Sequence, residues 1–227
     1  MIETPTGFIL IDKPKDWTSF DVIAKLRSLT KIKKIGHAGT LDPIATGLLL
    51  VAVGRQATRQ LSDYVKMDKV YLAKIKLGET SDTYDATGKI EKQEIIDISI
   101  ENVEQAIKKF IGNVKQIPPM FSAKKIKGKK LYELARQGKT VERQPIEIKI
   151  NNIRLLNFSF PYLELEISCG SGTYIRSLAA DLGEVLGVGA VMYELRRTQI
   201  GNFSIKQATR LEQLDKNNWV DFLINKL

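Results

Sequence analysis

One cysteine and one histidine in 227 residues remove several chemistries before any motif is read. Cys169 stands alone, so no intrachain disulfide is possible and a reducing, cytoplasmic setting is the expectation. His37 is the only imidazole, so a zinc site of the His/Cys type cannot be assembled. No apolar run nears the roughly 18 residues of a membrane span. The start, MIETPTGFILIDKP, is acidic and then strand-like, which is not the pattern of a secretory signal. There is no G-x-x-x-x-G-K-[ST] phosphate loop and no strand-borne G-x-G-x-x-G, so nucleotide cofactors have no cradle. Residues 82–88, DTYDATG, have the look of a calcium loop but lack its alternating acids and closing glutamate, and read as a turn. What remains is carboxylate chemistry.

The charge is plentiful and uneven. The net is +9. Between Lys124 and Arg143 eight basic residues face only Glu133 and Glu142, a local net of +6. A second run, Lys25, Arg27, Lys31, Lys33 and Lys34, contains no acid. Such runs are often no more than solvated faces. Two of them in a basic chain also fit a polyanionic partner, nucleic acid before others.

Glycine is concentrated where an acid sits. In GHAGTLDPIATGLLLVAVG, residues 36–54, Gly36, Gly39 and Gly47 flank Asp42, and the stretch runs into the apolar Leu48–Val53. An apolar run without alternation fits a strand covered on both faces. Two readings of the acid stand at this point. Asp42-Pro43 is a turn or a helix N-cap, or a carboxylate held at the mouth of a rigid core strand.

Elsewhere the periodicities alternate between strand and helix. GFILIDK is a strand, and Thr18 or Ser19 caps a helix to about Thr30 with Phe20, Ile23, Leu26 and Leu29 inward. Residues 55–65 read as a helical piece, and Val70–Leu77 as a half-buried strand with Tyr71, Ala73, Ile75 and Leu77 on one face. Residues 82–93 form a turn-rich hairpin link. Ser99–Ile111 fits an amphipathic helix presenting Val103, Ile107, Phe110 and Ile111. Pro118-Pro119 then breaks regular structure, and the basic segment surrounds a short helix with Leu131, Leu134 and Ala135 on a thin apolar face. That little apolar surface suggests an appendage that orders on its partner. Strands return at Ile146–Phe158 and Tyr162–Ser168, followed by a helix, Ile175–Leu186, with Leu178, Leu182 and Val185 inward. A strand over Gly187–Thr198 and short helical pieces near 209–214 and 218–226 close the chain. The sum is an α+β fold, a mixed and mostly antiparallel sheet flanked by helices.

Six blocks in order, GFILIDKPKDWTS, GHAGTLDPIATGLLLVAVG, the Tyr71 strand, IPPMFSAKKIKGKKLYELARQG, GSGTYIRSLAADLG and YELRR, resemble the TruB family of tRNA pseudouridine-55 synthases over about residues 7–214. The resemblance implies the pseudouridine synthase fold in one catalytic domain spanning residues 1–227. A basic insertion, about 116–144, would close on the T arm of tRNA. It also implies isomerisation of uridine-55 without cofactor or metal, and base flipping; with no sign of an obligate partner surface, a monomer is the default expectation. Departures from the family pattern are small: Asp16 where glycine is usual, Ala38 where a hydroxyl is common, Phe121 for a frequent tyrosine. Bacterial members usually continue into a PUA-type RNA-binding domain that this sequence does not include, and weaker tRNA binding with an intact site is the expectation.

Residue by residue, the resemblance makes Asp42 the catalytic aspartate, Arg176 its guanidinium partner that holds it ionised, and Tyr71 the aromatic that stacks on the target base. Tyr174 and Leu195 match pocket walls and Lys13 a lysine near the pocket. His37 matches the residue that fills the space left by the flipped base. Lys125, Lys130 and Arg136 lie in the insertion and should meet phosphates. Each position has a plainer reading: a surface helix arginine, a half-buried strand tyrosine, ordinary core residues, a solvated strand-end lysine, a structural loop histidine. Two other functions keep the RNA, a tRNA-folding chaperone without catalysis and a guide-dependent rRNA synthase relative.

Overall fold

The computed structural model describes residues 5–94, 97–122, 124–126 and 128–224. The chain divides into two compact units, Met1–Tyr71 with Leu195–Leu227, and Leu72–Glu194. It builds most of the first, then all of the second, and returns.

The first unit opens with strand β1, Gly7–Lys13, as the pattern predicts. Helix α1, Ser19–Thr30, follows, with Thr18 as N-cap: the Asp21 N–H donates to Thr18 Oγ1 at 3.0 Å and the Thr18 N–H to Asp21 Oδ2 at 2.8 Å. Its buried face is Ser19, Val22, Ile23 and Leu26, whereas Phe20 is 64% exposed. The expected face is rotated because Ser19 is turned inward to hydrogen-bond Leu41, and the next residue lies 100° round the helix. Arg27 covers the displaced ring, 5.7 Å from its centroid.

Strands β2, Ile35–His37, and β3, Thr46–Val53, come next. β3 pairs antiparallel with β1 from Gly7↔Val53 to Lys13↔Gly47, and with β2 from Ile35↔Val53 to His37↔Val51. Both faces of β3 are covered, as its unbroken apolar run requires. Leu49, Val51 and Val53 join one core with Ile9, Ile11 and Leu26, while Leu48, Leu50 and Ala52 join another with Phe8, Leu10 and Tyr64. The helical piece at 55–65 is two helices, α2, Arg55–Arg59, and α3, Leu61–Val65. The break at Gln60 is a tight turn in which its N–H bonds the Ala57 carbonyl.

Strand β4, Lys69–Leu77, carries the chain into the second unit with strict alternation, burying Lys69, Tyr71, Ala73, Ile75 and Leu77. Strands β5, Glu79–Ser81, and β6, Ile90–Lys92, form the expected hairpin. Helix α4, Ile100–Lys108, is capped by Ser99 and buries Val103, Ala106 and Ile107. Ile111 is 41% exposed rather than inward, because the turn after α4 tightens to i→i+3 bonds and swings it off the face. Strand β7, Gly112–Gln116, leads to the basic segment, which holds β8, Lys125–Ile126, β9, Lys129–Lys130, and α5, Leu131–Ala135. The segment has a small core of its own, Met120, Leu131 and Leu134, with Phe121 and Val141 packed on it.

Strands β10, Ile146–Ser159, and β11, Tyr162–Cys169, are an antiparallel pair, and the second unit's strands run β4-β11-β10-β7. Helix α6, Ile175–Leu186, buries Leu178 and Leu182, but Val185 is 42% exposed. Gly183, not Val185, faces inward: a Cβ there would land on the Gly189–Ala190 backbone, so the helix leans in on its glycine side. Strand β12, Ala190–Ile200, returns to the first unit. Its residues Arg196 and Arg197 pair in parallel with Thr46 and Gly47 of β3. β13, Phe203–Ser204, turns back on β12, and β14, Thr209–Arg210, pairs in parallel with β1. The terminal pieces are three-ten turns, Leu211–Gln213 and Trp219–Phe222. Met1–Thr4, which open the sequence, and Lys226, the expected end of the last piece, lie outside the described residues. The fold is α+β, with most strand pairs antiparallel and helices beside the strands. Among the described residues no helix is long and apolar enough to cross a membrane.

Candidate active site

Asp42 lies, half-buried, in the loop from β2 to β3. The backbone on both sides of it is held by side chains. Ser19 Oγ accepts from the Leu41 N–H at 2.9 Å and donates to the Leu41 carbonyl at 3.2 Å. The Pro43 carbonyl accepts from the Asp16 N–H at 2.9 Å and, at 3.4 Å, from Lys13 Nζ. The Asp42 carbonyl itself accepts from the Ala45 N–H at 3.0 Å. Asp16 makes this contact from the left-handed region, φ 65°, a backbone conformation that glycine adopts without steric cost.

Lys13 is not the solvated lysine a strand end usually carries. It is fully buried, and Nζ also donates to the carbonyls of Pro14, at 2.9 Å, and Trp17, at 2.5 Å. Burial pulls its pKa down to about 8; the negative charges of Asp42 and Asp16 oppose that shift and Arg197 adds to it. His37 ends β2, half-buried, and its pKa is lowered by burial first and then by the Arg197 charge, which leaves a neutral ring at neutral pH. Tyr71 on β4 and Leu195 on β12 are each 8% exposed. Arg197, to which the sequence reading gave no role, is 1% exposed, with Nε on the Leu48 carbonyl at 2.7 Å and Nη2 on the Gly39 carbonyl at 3.1 Å. Two consecutive arginines in a strand point to opposite faces, which lets one turn inward but does not say which or whether it is buried.

The second unit holds Arg176, in the first turn of α6 and 5% exposed. Nη1 donates to the Thr83 carbonyl at 3.1 Å, Nη2 to the Phe121 carbonyl at 2.8 Å, and Nη1 lies 3.6 Å from Asp85 Oδ2. Asp85 is the other residue the sequence reading passed over. The 82–88 stretch is a turn, as expected, but it is wound around this buried carboxylate. Asp85 Oδ1 accepts from Thr83 Oγ1 at 2.8 Å, Thr87 N at 3.0 Å and Thr87 Oγ1 at 2.5 Å. Threonines two residues to either side of an aspartate were the legible trace. Tyr174 precedes α6, and the buried Gln116 side chain holds it in both directions, accepting from its N–H at 2.9 Å and donating to its carbonyl at 3.0 Å.

In the basic segment Lys125 is paired in register with Lys130 across β8 and β9. Lys130 Nζ lies 5.3 Å and the Arg136 guanidinium 5.5 Å from the centre of the Tyr132 ring, so two cations share one aromatic. Among the described residues no group of three His, Cys, Asp or Glu stands together to hold a metal.

Comparison with known proteins places these residues in a family frame. Residues 27–175 match the model described as TruB family pseudouridylate synthase (N terminal domain), and residues 176–222 the tRNA pseudouridylate synthase B C-terminal domain. The chain is 47% identical over 220 residues to tRNA pseudouridine synthase B of Clostridium tetani, covering 96% of this chain and 75% of that protein. It is 52% identical over 200 residues to the protein of that name from Fusobacterium nucleatum subsp. nucleatum, covering 88% and 69%. Among solved structures it resembles a chain of a Cbf5-Nop10-Gar1 complex, with TM-score 0.72 and 29% identity. A chain of an H/ACA RNP bound to a substrate RNA containing 2'-deoxyuridine gives 0.70 and 28%. Each match covers 96% of this chain but only 54% and 53% of the other, so this chain spans about half the length of those two.

Proposed function

We infer the activity from a fact of descent: the chain belongs to the TruB family of pseudouridylate synthases. It is an isomerase that converts uridine to pseudouridine in tRNA, and the finer reading is uridine-55 in the T loop. The reaction detaches uracil from its ribose, turns it and rejoins it through carbon 5. Atoms are conserved and no electrons are gained or lost.

Asp42 is the residue on which the assignment rests. The observation that carries it is a half-buried carboxylate whose flanking backbone is fixed by Ser19 and Lys13, in a chain 47% identical to a tRNA pseudouridine synthase B. A carboxylate so placed acts as nucleophile at the sugar or base, or as base against the ribose. Tyr71 supplies the stacking surface for uracil and Arg176 the guanidinium that favours the ionised acid. Tyr174 and Leu195 line the uridine pocket, and Lys13 supports the loop from beneath. The target uridine leaves its stack to react, at a cost of about a few kcal/mol, and the neutral His37 ring fills the space behind it. Lys125, Lys130 and Arg136 hold phosphates of the T arm. The protein acts as a cytoplasmic monomer.

The relatives at 47 and 52% identity carry the tRNA synthase name, while the H/ACA and Cbf5 chains stand at 28 and 29%, which favours free tRNA over a guide-bound RNA as the substrate. Incubation with a T-arm hairpin and assay for pseudouridine tests this. Product from the wild type, none from Asp42→Asn, and equal hairpin affinity for both supports it. A wild type that binds the hairpin and makes no product overturns it.

A further inference from the structure

We propose that Arg197 is a positioning residue that locks the two ends of the Asp42 loop, an inference that rests on the catalytic reading of Asp42. β12 meets β3 at two register pairs, and there its two arginines part company. Arg196 turns outward to Asp12, Nη1 on Oδ1 at 3.0 Å and Nη2 on Oδ2 at 2.7 Å, a partly exposed fork. Arg197 turns inward, and both its hydrogen bonds go to backbone carbonyls.

Those carbonyls belong to Gly39, three residues before Asp42, and Leu48, six residues after it. A single planar guanidinium therefore spans the loop, while Ser19 at Leu41 and Lys13 at Pro43 hold its middle. Burying a guanidinium is expensive, and an apolar side chain would fill the same space more cheaply. What an apolar side chain cannot do is fix two carbonyls in one rigid geometry, and lysine, a point charge on a flexible stem, does so poorly.

The glycines at either end fit the same purpose. Gly47 has φ 104°, and a Cβ there would fall on the Arg197 backbone, so the two strands touch directly beneath the loop. Gly39 has φ 93°, and its Cβ would stand 3.5 Å from Arg197 Nη1. A carboxylate that must meet a sugar or base carbon gains most from such support, since a misplacement of about 1 Å costs roughly 100-fold in rate.

The test compares wild type, Arg197→Lys and Arg197→Met with Leu211→Ala, a variant in the buried core of the same unit. Turnover and KM on the T-arm hairpin, hairpin affinity, and amide hydrogen exchange read by mass spectrometry are measured on each. Arg197→Lys is expected to fold, to lose about 10- to 100-fold in kcat and to keep KM and hairpin affinity within about threefold. Its amides across residues 39–48 exchange faster than in Leu211→Ala, while Leu211→Ala keeps its kcat at a temperature where it is folded. Should Arg197→Met fail to fold, the lysine variant carries the test. An Arg197→Lys protein with wild-type kcat, or with loop exchange no faster than in Leu211→Ala, overturns the proposal. If the wild type makes no pseudouridine, the functional reading is what fails, and loop exchange alone decides the clamp.

Discussion

The guanidinium of Arg176 lies 3.6 Å from the carboxylate of Asp85, and both side chains are nearly excluded from water, at 6 and 5% exposure. Asp85 spends its other oxygen on the threonines beside it, so the pair is anchored at both ends. Removing Asp85 takes from a buried guanidinium a charge that faces it. Asp85→Ala is expected to lower the unfolding free energy by about 3–5 kcal/mol. Asp85→Asn keeps one acceptor oxygen for the threonines and should lose less stability, while slowing pseudouridine formation because the guanidinium loses the Asp85 charge that helps to hold it. Thermal melts and the hairpin assay check both; Asp85→Ala with wild-type stability and turnover contradicts the account.

Lys13 gives a pH dependence with a definite sign. In the unfolded chain its ammonium keeps its proton to about 10.5, whereas in the folded protein it releases it near 8. Below 8 both states are protonated. Between these values the unfolded state holds more protons, so raising the pH favours the folded protein. The stability of wild type minus that of Lys13→Met should therefore rise across this window by on the order of 1 kcal/mol per pH unit. Urea unfolding at pH 7.5 and 9.5 measures it, and a flat or falling difference would count against the burial of this ammonium.

Asp16 tests a backbone argument. At φ 65° an aspartate is tolerated better than most side chains, and a β-branched residue is strained. Asp16→Val should lose about 1–2 kcal/mol. Asp16→Gly should stay near wild type, since the freedom glycine gains in the unfolded chain offsets the relief of strain. Melting temperatures of the two variants decide the point, and equal losses would refute it.

The basic segment predicts salt dependence. Lys130 and Arg136 flank Tyr132 and stand for phosphate contacts in the proposed function. Lys130→Ala and Arg136→Ala should each weaken T-arm hairpin binding and flatten the slope of log affinity against log salt by about 0.7–0.9. Titrations at several salt concentrations read the slope, and an unchanged slope removes that residue from the phosphate contacts.

Much of the frame was legible without coordinates. β1 and α6 fall at the expected residues, the β4 alternation places Tyr71 inward, and the unbroken apolar run of β3 is covered on both faces. The errors share one cause. Apolar spacing alone turns Phe20, Ile111 and Val185 inward, but Ser19, a tightened turn and Gly183 each settle which side faces the core.

By itself the sequence determined the periodicities, the glycine-flanked aspartate and the family to which the chain belongs, because each is written in residues close together along the chain. Tertiary structure alone decided that Lys13 and Arg197 are buried, that Asp85 faces Arg176 and that Gln116 holds Tyr174. A buried polar group persists only where partners come to meet it, and the carbonyl that receives Arg197 Nε is 149 residues away in sequence. No local pattern records such a meeting, so the chemistry-bearing acid could be read from the chain and the groups that hold it in place could not.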